Sequence, residues 1–204
     1  IFIPKLQMTI INLSQKYIFI ENHQTGSEII RQYLNKYDSE NPIQNYIYLK
    51  PFGLGHNYIS VKKYLDSRQI DINDFYIFGF IQHPITRIES CYQYEHDQGF
   101  SNVSQLGQNS RDFNFYIQQD LNLSFFGIES VFFNQQNQLP KNVYIFKIED
   151  LSKVWNQISL KVVGLRGVPC PSIHVSVQNI YPIKEQSIMS LREKYSNDWL
   201  VYLD

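Results

Sequence analysis

The chain has 204 residues, 43% of them hydrophobic, with 18 basic against 19 acidic residues and a formal net charge of -1. That length and apolar share suit one domain with a true core and exclude a chain too polar to fold. The even charge balance argues against a general polyanion binder, which needs a basic surface, so no nucleic-acid partner is expected.

The first apolar run, Lys16 to Ile20, is short, β-branched and aromatic, and reads as a buried strand. Asn22 to Ser27 carries turn formers, and Glu28 to Tyr37 follows with a helical stripe at Ile29, Ile30, Tyr33 and Leu34. Tyr46 to Leu49 predicts a second strand, Lys50 to Gly55 a loop, and Ser60 to Leu65 a short helix capped by Ser60. Phe75 to Ile81 is the most apolar run and predicts the central strand; after it Ile85 to Tyr94 predicts a helix with Pro84 in its first turn.

Residues 97–112 read as a polar loop, Phe113 to Leu121 as a helix and Asn134 to Gln138 as a second polar loop. Val143 to Lys147 predicts a fourth strand, closed by Ile148-Glu149-Asp150-Leu151, and Val154 to Val163 a helix. Pro169 to Val177 reads as irregular, and Lys184 to Tyr195 as a terminal helix. Strands alternating with helices predict an α/β domain with a mostly parallel sheet, with no internal repeat and no linker dividing it. Cys91 and Cys170 stand far apart without metal-ligand spacing, which predicts no zinc site and favours two buried free thiols over a single disulfide. No 18-residue apolar run is present, so no transmembrane segment is expected. The chain begins at Ile1 rather than Met, which points to a processed or trimmed piece.

Two strand-to-helix junctions carry candidate chemistry. In Glu21-Asn22-His23-Gln24-Thr25-Gly26-Ser27-Glu28 a loop leaves a strand and opens a helix. Its backbone N–H groups and the helix dipole favour phosphate or sulfate, Gly26 permits close approach, and Thr25 and Ser27 add hydroxyls. An ordinary strand-to-helix turn with a Thr/Ser cap is the plainer reading. GxxxxGK[ST] is absent, which disfavours a conventional ATPase.

The second junction is Phe80-Ile81-Gln82-His83-Pro84-Ile85-Thr86-Arg87-Ile88-Glu89-Ser90-Cys91-Tyr92, where Arg87 and Ser90 share a helix face and suit a phosphate clamp. The plainer reading is a surface Arg beside an incidental Ser. Ligands of open α/β sheets bind beyond the carboxyl ends of strands, so both loops are expected to face one crevice. His56, in the loop after the second strand, suits a general base, or else a cap for the helix that follows. Glu95 and His96 read as a solvated helix end or an acceptor lining. His23 and His83 flank the two loops and would add positive charge when protonated, and His174 reads as loop packing.

In order and spacing, Tyr17 to Glu28, Gln82 to Tyr92, and Phe146-Lys147-Ile148-Glu149-Asp150-Leu151 resemble three motifs of sulfotransferases that use 3′-phosphoadenosine-5′-phosphosulfate (PAPS), in the carbohydrate and Golgi-type branch. The resemblance covers about residues 16–200. It implies a P-loop-like three-layer sandwich, PAPS as donor without a metal, and a glycan or small-molecule hydroxyl as acceptor. It also implies a cytoplasmic place in a bacterium or the Golgi lumen in a eukaryote. It assigns the donor to Gln24, Thr25, Gly26, Ser27, Glu28, Gln82, Arg87 and Ser90, and catalysis to Gln24 and His56.

The chain departs from the family where Gln24 replaces a loop Lys, Glu28 a hydroxyl residue and Gln82 an Arg. Charge-assisted contacts contribute roughly 1.5–3 kcal/mol against about 1 for neutral ones, so two losses weaken donor binding roughly 10- to 1000-fold. A homologue that keeps the fold and binds a ligand or partner without catalysis is therefore the alternative. A nucleotide kinase or hydrolase, with Glu149 and Asp150 near a magnesium ion, is a third reading.

Overall fold

The computed structural model describes residues 9–22, 25–37, 46–49, 57–97, 112–118, 127–173 and 181–203. The apolar run at Lys16–Ile20 supplies strand β2 (Tyr17–Phe19), and a strand outside the predicted set, β1 (Thr9–Asn12), pairs with it as a hairpin. The hairpin turn is shaped by Asn12, whose Oδ1 accepts from Gln15 N and Ser14 Oγ at 2.9 Å each, and by Lys16 at φ 55°. On its other edge β1 pairs antiparallel with β3 (Tyr46–Leu49). β2 pairs parallel with β4 (Tyr76–Ile81), which pairs parallel with β5 (Val143–Lys147).

The sheet order is thus β3-β1-β2-β4-β5, and the sheet is mixed. The expected mostly parallel arrangement holds only across β2, β4 and β5. The reason is the hairpin: a short turn joins antiparallel strands only, so β1 enters the sheet reversed.

Side chains alternate across the sheet with the period of two that an extended chain imposes. Phe19, Phe78 and Phe80 face one side, where α1 (Ser27–Tyr37) packs through Ile30 and Leu34 and α6 (Leu151–Lys161) through Trp155 and Ile158. Ile18, Ile77 and Ile81 face the other, under α2 (Tyr58–Asp66) and α5 (Ile128–Phe132). Helices therefore flank both faces, and α5 was not among the predicted elements. A third cluster beyond the sheet joins α3 (Pro84–Asp97), α4 (Phe113–Gln118) and α7 (Glu185–Lys194) through Ile88, Tyr92, Phe113, Tyr116 and Leu191, with Tyr195 between α7 and α8 (Ser196–Leu203) and Trp199 of α8 packed against it.

Several predicted boundaries move. α2 begins at Tyr58 and is capped by Asn57, whose Oδ1 accepts from Ser60 N at 2.9 Å; Ser60 lies inside the first turn. The helix predicted from Val154 starts three residues earlier, directly after a 3₁₀ turn at Ile148–Asp150. Both cysteines are free, Cys91 buried and Cys170 half-buried. No helix among the described residues is long and apolar enough to cross a membrane.

Candidate functional site

The chain leaves β2 through α1 and reaches β3 on one side of the sheet, whereas the path out of β4 leads to β5 on the other. β2 and β4 are adjacent and parallel, so their carboxyl ends flank the place where the strand order changes direction. Open α/β sheets bind ligands at this switch point. The two loops are tied together there: Asn22 Nδ2 donates to the Phe80 carbonyl at 3.2 Å. A third strand joins them, because Glu149, just past β5, accepts the His83 backbone N–H on Oε1 at 2.9 Å.

In the first loop Gly26 holds φ +68°, a left-handed conformation that favours glycine, and it is exposed. Thr25 and Ser27 are buried; Thr25 Oγ1 donates to the Asn22 carbonyl at 2.9 Å, and the two hydroxyls lie in direct contact. Both hydroxyls therefore build the loop, and the atoms that would meet an anion are the backbone N–H groups opening α1. Glu28 turns along the helix, where Arg31 Nη2 approaches Oε1 to 3.7 Å and Gln32 Nε2 donates to it at 3.3 Å. Arg31 also reaches Glu21, Nε to Oε2 3.2 Å, pinning the helix start to the end of β2. The acidic residue thus points away from the loop, with a cation beside it.

A Cβ built on Gly26 would lie 3.4 Å from Ile173 and 3.7 Å from Ile148. Those two residues line a cavity of about 340 Å³ together with Glu149, Ser152, Cys170 and Ser172. Its walls come from the end of β5, the start of α6 and the segment expected to be irregular after Pro169. Burial pushes the Cys170 thiol up, which keeps it protonated and unreactive.

The second loop is arranged differently from the expectation of a phosphate clamp. Arg87 has 0% exposure; its Nη2 lies 2.9 Å from Asp198 Oδ1 in α8, and its guanidinium stands 5.5 Å from the Tyr195 ring centre. Asp198 in turn accepts the Ile128 N–H that opens α5, on Oδ2 at 3.0 Å. Burial raises the Asp198 carboxyl, and Arg87 and the Ile128 N–H act against that rise. Ser90 Oγ donates to the Thr86 carbonyl one turn back, at 2.9 Å, and Gln82 is buried. Among the described residues that line the cavity, neither Arg87 nor Ser90 is present.

Asp198 and the latching role of Glu149 escaped the sequence reading. The Glu149-Asp150-Leu151 motif was visible, but what its carboxylate holds depends on a strand pairing no local pattern encodes. Among the other expected site residues, His23, Gln24, His56 and His174 lie outside the described residues, as do the side chains of Glu95 and His96. Among the described residues, no group of three or more His, Cys, Asp or Glu is placed to hold a metal ion.

His83 sits half-buried and edge-on to two rings of α8, with centroids 5.1 Å from Trp199 and 4.9 Å from Tyr202. Burial lowers its pKa, and the Glu149 carboxylate opposes that shift. The unfolded chain therefore takes up the proton first, so His83 contributes stability above about pH 6.5 that is lost as pH falls toward the folded value. The urea midpoint should drop more between pH 7.5 and 5.5 in the native chain than in His83→Gln; equal drops would show that His83 carries none of it. Tyr202 is pushed up to about 12 by burial and by the Glu149 and Asp150 carboxylates.

The chain matches no family model, no curated protein and no solved structure.

Proposed function

We propose that the chain is a sulfotransferase-like domain of P-loop-like, three-layer design. It binds PAPS and transfers the sulfuryl group to a hydroxyl of a glycan or other small acceptor. The observation that supports this reading best is the convergence of the β2 and β4 loops at the switch point, with Gly26 exposed in a left-handed turn beside a 340 Å³ cavity. In this reading the N–H groups opening α1 hold the 5′-phosphate end, in the manner of anion sites at helix starts. The acceptor hydroxyl attacks sulfur in line with the departing phosphate while His56 takes its proton. By the resemblance Gln24 takes the place of the loop Lys, a neutral group for a cation, so the developing charge on the leaving oxygen is weakly stabilised and turnover is slow.

One observation favours a second reading, a homologue that binds a ligand or partner without catalysis. Arg87, assigned by resemblance to the donor's 3′-phosphate, is buried against Asp198.

Calorimetric titration with 3′-phosphoadenosine-5′-phosphate (PAP), the desulfated donor, tests the proposal. Micromolar binding by the native chain is expected, tightening about tenfold in Gln24→Lys because a charge-assisted contact replaces a neutral one. Gly26→Ala should weaken it about tenfold, since the free loop relaxes out of the left-handed turn and binding must restore it at a cost of roughly 1–2 kcal/mol. No heat at millimolar PAP would dismiss the enzyme in favour of the second reading. Equal affinity in Gly26→Ala would put the nucleotide somewhere else.

A further inference from the structure

Helix α8 rests on the loop after β4 through two separate sets of contacts. The first is the ion pair of Asp198 with Arg87, which also takes in the Ile128 N–H. The second is a layer of rings. The His83 imidazole stands nearly perpendicular to Trp199 and Tyr202, at interplanar angles of 85° and 89°. Each of those two rings already holds a cation. The Arg192 guanidinium lies 5.3 Å from the Trp199 ring centre and the Lys147 ammonium 5.1 Å from that of Tyr202. The carboxylate that acts on His83 is Glu149, whose Oε1 accepts the His83 backbone N–H, and Asp150 acts with it on Tyr202. A neutral imidazole suits such a layer, because ring edges and faces attract. An imidazolium does not: half-buried, it gives up water, and it meets rings that two other cations already use. Burial lowers the His83 pKa against the pull of Glu149, in keeping with that balance.

We infer that His83 is a proton-operated latch on α8: the neutral imidazole keeps the helix docked on the β4 loop, and the imidazolium lets it lift. His83 lies just past the carboxyl end of β4, so lifting of α8 uncovers one of the two loops that meet at the switch point. The inference holds whether or not a nucleotide binds there. Lifting also parts Asp198 from Arg87, so the open form stays a minority and the proton changes its population. In the open form His83 returns to water and to its ordinary value of about 6.5. The open form therefore takes up the proton first as pH falls, and its share grows by at most about tenfold per pH unit.

Hydrogen exchange of the full chain, read by peptide mass spectrometry and divided by the intrinsic rate at each pH, tests this. Between pH 7.5 and 5.5 exchange across 196–203 should rise several-fold, with about tenfold as the ceiling for one proton, while 151–161 in α6 stays constant. His83→Phe keeps a ring beside Trp199 and Tyr202 but takes no proton, so its 196–203 exchange should be flat with pH. Lys147→Met removes one of the two like charges and leaves His83 in place, so it should shrink the rise without abolishing it. A native chain with no rise across 196–203 would sink the latch. So would an equal rise across 151–161, the mark of global acid unfolding, or a rise that persists in His83→Phe, which would assign the proton to another group.

Discussion

Asp198→Ala is expected to lower the unfolding free energy by about 3–5 kcal/mol, because it strands a buried cation. Arg87 has 0% exposure and Asp198 3%, so neither charge can turn to water without moving a helix. The same carboxylate accepts the Ile128 N–H, and its loss also uncaps α5. Folded domains have about 5–15 kcal/mol in hand, so this one truncation removes a large share.

The pair differs from a surface ion pair in a way that a second variant exposes. Replacing both partners by apolar residues, Arg87→Met with Asp198→Leu, removes the desolvation penalty along with the attraction. The double variant should therefore be more stable than Asp198→Ala. Urea denaturation of the two variants and the native chain measures both differences. A loss below about 1 kcal/mol in Asp198→Ala would mean that Arg87 reaches solvent, as an exposed pair would.

The second large effect is expected at Gly79, in the middle of β4. An added Cβ there would lie 2.5 Å from two atoms of the Phe132 ring and 2.7 Å from the Ile20 carbonyl oxygen. The ring, from the last residue of α5, is fully buried, and the carbonyl lies just past the neighbouring strand β2, so neither retreats cheaply. Gly79→Ala should cost about 3 kcal/mol, at the upper end of overpacking. Combining it with Phe132→Leu relieves the ring contact and leaves the carbonyl contact, so the two losses should fall short of adding. Thermal unfolding of the single and double variants reads this directly; strict additivity would show that Phe132 is not what the methyl meets. Because β4 and β2 define the switch point, the same substitution bears on the site, and its effect on PAP affinity should exceed that of an equally destabilising change in α7.

The two predictions rest on residues of different legibility. Gly79 stands inside an apolar run that identifies β4 without help, yet nothing local says that an aromatic ring needs the missing side chain. The ring comes from α5, five residues in length, too short to show helical periodicity before the fold is known. Arg87 was visible as a cation three residues from Ser90, and local pattern made it a clamp. Its partner is in α8, whose eight residues carry no motif. Whether an arginine faces ligand or core depends on which carboxylate the tertiary fold sets beside it.

The loops themselves were more legible. Gly26 between Thr25 and Ser27 marked a turn into a helix, and the structure places a left-handed residue there at the start of α1. Hydroxyls next to a glycine read equally as ligand donors or as loop builders. The choice fell to Asn22, whose carbonyl takes the Thr25 hydroxyl. Glu28, an anion in a loop meant for anions, proved to lie along α1 because Arg31 and Gln32 are one turn ahead of it. That i to i+3 and i to i+4 spacing is a local feature of the sequence, and it sets the side chain's direction once the helix forms.

By itself, then, the sequence determined the strands with unbroken apolar runs, the helices with a 3.6-residue stripe, and the two junctions where strand hands over to helix. These follow from short-range sterics and the periodicity of burial, which neighbours along the chain are enough to impose. Tertiary structure alone decided the reversed strand β1, the switch point between β2 and β4, and the partners of Arg87, Glu149 and Gly79. Each of those depends on groups brought together from distant segments, where a buried charge must find an opposite charge and a buried ring must find a hollow.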